Sequence, residues 1–425
     1  MEEVALAAFA AFFVVTFAIL FKRDIYVAGV YFFLFVYTIF AQIGYFYFPE
    51  LSNNIEAYFG EDIFMSYTAF VAASFFCFFL FVSLVLNLTR GISYRVVRKP
   101  WRIARLAFCF VLLAHLAFAG SYLVLNYDLL TYSSASDDAF QVEQGLPFML
   151  FGIAFKLSVA AIVVLYALMR LRGEMRPLVG SATIKFFLVA ELVLFAAIAA
   201  KIANRTDVVA VTLAICMIEY QLGGGFKKFA KLSAFAAAML YGMLLIEGSR
   251  NSSAEERLLY EIVLVKDYFA PAHILFAAMD HGFIDPVQVL VSNAANSLIL
   301  LGQPYLQATV TDVFNPGLAT RSVGYAFYIF SEGFMALGLL GFLYNGVVIG
   351  AGVLLWRGLA ASENRAYSIF MLALISTQMA NIVRSQSAYF IKDLYVFFIP
   401  AMLLFFLASG LRPSFMPLLY RKRSL

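Results

Sequence analysis

Residues 65–88 read MSYTAFVAASFFCFFLFVSLVLNL, and this stretch decides the fold. Its 24 positions carry no charged side chain. As an α-helix rising ~1.5 Å per residue it covers about 36 Å, more than the ~30 Å hydrocarbon core of a bilayer. Backbone groups in lipid must find partners within the protein, which leaves helices or closed barrels. The ten-residue alternating strands that a barrel needs do not occur along the chain. Working outward, comparable apolar runs lie near 4–21, 25–48, 106–127, 147–169, 185–203, 207–222, 230–248, 325–355, 366–383 and 393–410. The fold expected is an all-α polytopic transmembrane bundle of about 11 spans. Composition agrees: of 425 residues, 63% are hydrophobic, 17% aromatic and 13% charged. Soluble domains carry roughly 25% charged residues, so a soluble globular reading is excluded.

Three regions follow. Residues 1–248 hold spans 1–8, 249–324 form one large polar-to-apolar loop between spans 8 and 9, and 325–425 hold spans 9–11 with a basic tail. The first span opens Met1-Glu2-Glu3 and lacks the basic start and small-residue cleavage site of a signal peptide, so it is expected to be retained. If spans alternate, one set of connectors collects 21 of the 30 Lys and Arg: Lys22-Arg23, Arg90 to Arg105, Arg170 to Lys185, Lys227 to Lys231, Arg357 with Arg365, and Arg412 to Arg423. The opposite set carries Glu50, Glu56, Glu61-Asp62, Asp128, Asp137-Asp138 and Glu143. Basic connectors mark the cytoplasmic side. The N-terminus is therefore expected outside, the C-terminus inside and the 249–324 loop outside. Loops of that length without a function are uncommon. Within it, Leu258 to Met279 and Pro286 to Val310 are apolar enough to lie on the membrane face or dip into it, and 287–310 is a candidate re-entrant segment.

Cys77, Cys109 and Cys216 all fall inside expected spans, with neither disulfide nor zinc spacing. No metal or organic cofactor is implied. His115 reads as a core hydrogen bonder, while His273 and His281 lie in the loop without metal-ligand spacing. Lys156 and Glu191 are charges in mid-span. Gly338, Gly341, Gly346 and Gly350 fall near one helix face, which suits close helix packing.

The informative residues are cations on the side where the charge rule makes them scarce. Arg205 follows a span in Ala-Asn-Arg-Thr-Asp, Arg250 ends one in Glu-Gly-Ser-Arg-Asn, Arg321 precedes one in Ala-Thr-Arg-Ser-Val-Gly, and Arg384 follows one in Asn-Ile-Val-Arg-Ser-Gln-Ser. The planar, permanently charged guanidinium suits bidentate phosphate binding. Four arginines at one mouth describe a site for an anionic headgroup such as a diphosphate. The alternative is structural: each snorkels or pairs with an acid such as Asp207, Glu247 or Asp393. Glu332, near the outer end of the 325–355 span, is either a base that positions or deprotonates a sugar hydroxyl, or an ion-pair partner of an arginine.

The order of these features resembles the O-antigen polymerase (Wzy-type) family. Asn204-Arg205-Thr206-Asp207-Val208-Val209 is followed by Arg250 and by a long outer loop containing Asp267-Tyr268-Phe269-Ala270-Pro271. Glu332 then precedes Gly338 and Gly341, and Arg384 closes the series, so the resemblance covers roughly residues 180–410. It implies an enzyme of the bacterial inner membrane that joins undecaprenyl-diphosphate-linked oligosaccharide repeat units at the periplasmic face, with lipid diphosphate as leaving group. Its partners would be that lipid-linked oligosaccharide, membrane lipids and a chain-length regulator, with no nucleic acid. Combined with the residues, it implies diphosphate binding by Arg205, Arg250, Arg321 and Arg384, with catalysis carried by Arg250, Arg384 and Glu332. The rival readings are an O-antigen ligase, which shares the donor, and a transporter or flippase for a lipid-linked glycan, which places its charges nearer the midplane.

Overall fold

The computed structural model describes residues 2–47, 61–89, 93–98, 103–127, 146–202, 205–223, 285–297, 328–379 and 386–418, together with a few isolated positions. The chain divides into two compact units. One comprises Met1–Arg90, Arg257–Leu355 and Met379–Lys392, and the other Gly91–Glu256, Trp356–Gln378 and Asp393–Leu425.

The first unit opens with α1 (Glu2–Arg23), α2 (Ile25–Tyr47) and α3 (Glu61–Leu88). Asp24 separates α1 from α2 and caps the latter, its Oδ1 accepting from the N–H groups of Tyr26 (3.0 Å) and Val27 (3.2 Å). Aromatic side chains hold these helices: Phe13 stacks on Tyr31 at 5.0 Å, and Phe75 meets Tyr31 edge-on at 5.1 Å.

The second unit contains α4 (Ala104–Leu125), α5 (Leu146–Arg170), α6 (Arg172–Met175), α7 (Ser181–Ile202) and α8 (Arg205–Gln221). Val159 to Leu165 of α5 are buried without a break, the mark of a helix surrounded on all sides. Its neighbours include α4, α7, α8 and the later helix Ile399–Ser409.

In the first unit, α9 (Pro286–Ser297) and α10 (Ile329–Leu337) follow, and α11 (Gly341–Ala360) begins there. Next come α12 (Arg365–Ser376), capped by Asn364, and α13 (Ala388–Asp393). A π turn (Leu394–Phe398) then leads into α14 (Ile399–Ser409). Pro400 has no N–H to offer Val396, and the helical ladder widens just before it.

Among the described residues, six stretches are long and apolar enough to cross a membrane: Ser66–Leu88, Ala104–Leu125, Leu150–Arg170, Ser181–Ala199, Ile329–Ala360 and Ala388–Ser409. Every run expected to span has a helix within it except that near 230–248, of which only residue 234 is among the described residues. In the 366–383 run, helix α12 has 12 residues, about 18 Å, and most of the run beyond Met379 lies outside the described residues.

The 325–355 run, expected as a long span, is not one straight helix. Gly338 adopts φ 59°, a left-handed conformation open to glycine, and a 3-10 turn follows over Gly338–Leu340. A Cβ on Gly341 would stand 2.1 Å from the carbonyl oxygen of Gly333, eight residues earlier. In a continuous helix such residues are about 12 Å apart. The chain therefore folds back at Gly338, and the short α10 leans on the start of α11.

Gly346 and Gly350, expected as packing positions, seat α11 against Cys77 and Phe81 of α3. Gly120 in α4 has open space where a Cβ would go. Gly120→Ala should therefore raise stability by about 0.5–1 kcal/mol. In contrast, Gly346→Ala puts a Cβ 2.4 Å from that of Cys77 and should lower it by about 1–3 kcal/mol. Melting of the detergent-solubilised variants should shift in opposite directions.

The helical expectation also missed a two-stranded antiparallel ribbon, β1 (Ser93–Arg98) with β2 (Leu411–Leu418), bulged between Tyr94 and Arg95. Pro413 and Pro417 are tolerated because each strand is an edge. The ribbon joins two basic segments that the charge pattern assigns to the same side. At this end of the second unit, Arg98 Nη2 also donates to the Arg176 carbonyl (3.3 Å) and Arg365 pairs with Glu174 (3.1 Å). Arg365 further donates to the Gln221 carbonyl at 3.3 Å. Connectors sorted together by charge thus meet in space.

Candidate functional site

A carboxylate in an apolar segment needs partners for its lone pairs, because an unpaired charge away from water is heavily penalised. Glu332 lies in the first half of α10 and is fully buried. Its Oε1 accepts from Asn293 Nδ2 of α9 (2.7 Å) and from the Tyr344 hydroxyl of α11 (2.6 Å). Its Oε2 accepts from the backbone N–H of Ser387, just ahead of α13, at 2.7 Å. One side chain thus ties together three separate segments of the first unit. All three neighbours approach as donors, the complement of a carboxylate acceptor.

The fold-back at Gly338 creates this arrangement by setting the first turn of α11 beside α10. Asn345, next to Tyr344, closes the junction: its Nδ2 donates to the Phe330 carbonyl (3.0 Å) and lies 3.2 Å from Ser74 Oγ of α3. Gln386 is buried and accepts the N–H of Leu306 at 2.9 Å. Two separate points of the 249–324 segment, Asn293 and Leu306, are thus tied to the Gln386–Ser387 dipeptide or to the carboxylate it meets.

Of the sequence-derived site residues, Glu332 is placed in full. Its described partners are neutral donors that make it a hydrogen-bonded hub, while the arginines that the ion-pair role drawn from the sequence would need lie outside the described residues. Arg205 begins α8, and its side chain lies outside the described residues. Arg250, Arg321 and Arg384 also lie outside them, as do His273 and His281. Sequence reasoning missed Asn293, Tyr344, Asn345, Gln386 and Ser387. Two signals were present: the polar group Ser292-Asn293 with Asn296-Ser297 interrupting an apolar run, and the polar Ser385-Gln386-Ser387 directly after Arg384.

Two polar clusters in the second unit are distinct from this one. Glu219 of α8 accepts from the Tyr166 hydroxyl (2.7 Å) and from Arg170 Nη2 (2.9 Å), fastening α5 to α8. His115 Nε2 is 2.9 Å from Ser158 Oγ and 3.5 Å from Glu191 Oε2, in line with its expected place as a core hydrogen bonder. A single ring nitrogen faces both groups, so this is not the relay of a hydrolase triad, which uses both nitrogens. No group of three or more metal-ligating side chains occurs among the described residues.

Comparison with protein-family models, with characterised proteins and with solved structures gives no match to this chain. What stands on the fold and the site is a multi-pass helical membrane protein with a buried carboxylate hub.

Proposed function

We propose that the chain is a membrane polymerase that joins oligosaccharide repeat units carried on a lipid diphosphate, of the kind its ordered arginine and glutamate features resemble. The observation that carries the reading is the bond from Ser387 N–H to Glu332. Ser387 is three residues beyond Arg384, so chain connectivity alone keeps the two Cα atoms within about 11 Å. Glu332 thereby anchors the segment that bears a candidate diphosphate ligand, and through Asn293 it anchors the loop as well. In this reading Glu332 is a positioning residue, and the arginines are the groups that touch substrate.

The reaction is a glycosyl transfer. The acceptor hydroxyl oxygen bonds to the donor's anomeric carbon as the bond from that carbon to the diphosphate oxygen breaks. The hydroxyl proton leaves with the solvent or the departing phosphate. Charge grows on the diphosphate as the bond breaks, so fixed guanidinium groups stabilise the transition state more than the ground state. Removing one such donor typically lowers turnover about 10²–10³-fold.

The test is purified protein in liposomes supplied with a lipid-diphosphate oligosaccharide. A product ladder is expected from the native chain, with Arg250→Ala and Arg384→Ala losing it at equal protein levels. Normal ladders from both variants would overturn the arginine assignment. Transfer of single units to a different acceptor would indicate a ligase, and movement across the bilayer without bond formation a flippase. On this proposal the protein sits in the bacterial inner membrane with its N-terminus and 249–324 loop outside.

A further inference from the structure

Helix α9 has its polarity inverted. Val289, Ser292, Asn293 and Asn296 form its buried face, at the i, i+3, i+4, i+7 spacing of one helical stripe. Three of these four are polar, and Asn293 reaches Glu332. The opposite stripe is apolar and exposed, with Val287 63% exposed, Leu290 46%, Val291 55% and Ala294 with them, and the uncharged Gln288 is exposed at its flank. A loop helix in water does the reverse, turning its asparagines out and its valines and leucines in.

We infer that α9 lies against the acyl chains of the bilayer at the edge of the hydrocarbon layer, with the Val287–Leu290–Val291–Ala294 face in lipid and the asparagine face on the Glu332 cluster. Its depth follows from its partners. Asn293 also sits 3.5 Å from the hydroxyl of Tyr344, in the first turn of α11. That helix has 20 residues, about 30 Å, the thickness of the hydrocarbon core. Helix α9 is therefore level with one end of an element that matches the membrane in length. The apolar turn beside it points the same way, with Leu337 50% exposed, Leu339 68% and Leu340 62%. At the other end of α9, the exposed carboxylate of Asp285 caps the helix by accepting from Val287 N–H at 2.9 Å, as suits an entry point at the wet interface. The occupant is thus lipid: the uncovered face has aliphatic side chains and no charge to offer a soluble partner. The inference rests on α9 and its neighbours and stands apart from the polymerase reading. Its consequence is that one helix separates the Glu332 cluster from the acyl chains.

The test is site-directed spin labelling of the full-length protein in liposomes, in a background with Cys77, Cys109 and Cys216 replaced by Ala. Labels at Leu290→Cys and, as an independent position, Val291→Cys should collide readily with oxygen, which concentrates in lipid. Both should show several-fold lower accessibility to a water-soluble nickel chelate than a label at Asp285→Cys. Nickel accessibility equal to that at Asp285 would overturn the inference, placing α9 in water. Labels shielded from both reagents would also overturn it, placing α9 beneath protein.

Discussion

Glu332→Ala should leave a protein that melts well below the native chain and, on the polymerase proposal, should abolish polymer formation. The substitution removes the acceptor for three donors at once: Asn293 Nδ2, the Tyr344 hydroxyl and the Ser387 N–H. Each buried donor left without a partner costs about 1–3 kcal/mol. The terms do not simply add, because the segments relax together, but a total loss of at least about 3 kcal/mol follows. Glu332→Gln separates position from stability. Placing the amide oxygen where Oε1 stood keeps the bonds to Asn293 and Tyr344, and the amide NH2 then faces the Ser387 N–H, donor against donor. A smaller loss of about 1–3 kcal/mol is expected, focused on Ser387, whose amide hydrogen should exchange faster while those of α11 stay protected. A positioning role predicts that Glu332→Gln shortens or abolishes the product ladder although the protein folds. If Glu332→Gln kept native ladders despite faster exchange at Ser387, the carboxylate would be a structural tie only.

Gly333→Ala and Gly341→Ala are expected to be the most disruptive single methyl additions among the described glycines of the first unit. A Cβ on Gly333 would lie 2.2 Å from Asn345 Oδ1 and 2.5 Å from the Gly341 carbonyl oxygen; one on Gly341 would lie 2.1 Å from that of Gly333. The obstacles are mainly backbone, so no flexible side chain can swing aside. Overpacking of this kind costs about 1–3 kcal/mol, occasionally more, and here the upper end applies because the two helix segments must separate. Separation would also pull Tyr344 away from Glu332. Gly358→Ala, on the same α11 and facing open space, is the control and should melt at or above the native temperature. Equal melting of all three variants would mean that the fold-back at Gly338 does not bring these backbones together in solution.

The sequence made some elements legible because their signals are local. Residues 65–88 are long, uncharged and apolar, and a helix occupies them. The basic connectors sorted by charge, and the ribbon of β1 with β2 brings two of them together. The fold-back was not legible. Gly338 in an apolar run looks like Gly346 or Gly350, which serve helix packing, and only its positive φ and the Gly333–Gly341 contact distinguish it. The ribbon was missed because its strands have 6 and 8 residues and one contains two prolines, a pattern that says turn before it says strand. At the site, Glu332 stood out as a carboxylate in an apolar stretch, but its donors come from positions 39, 12 and 55 residues away.

The sequence alone thus determined that this is a helical, multi-pass membrane protein and which of its segments are apolar enough to be buried in lipid or core. Transfer from water to hydrocarbon is close to a sum over side chains, and such a sum can be read along the chain. The tertiary structure decided that the 325–355 run folds back on itself, that α9 turns its asparagines inward, and that Glu332 is a hub accepting from three neutral donors. Hydrogen bonds require particular atoms within about 3 Å of one another, and which distant atoms meet is set by the path of the whole chain.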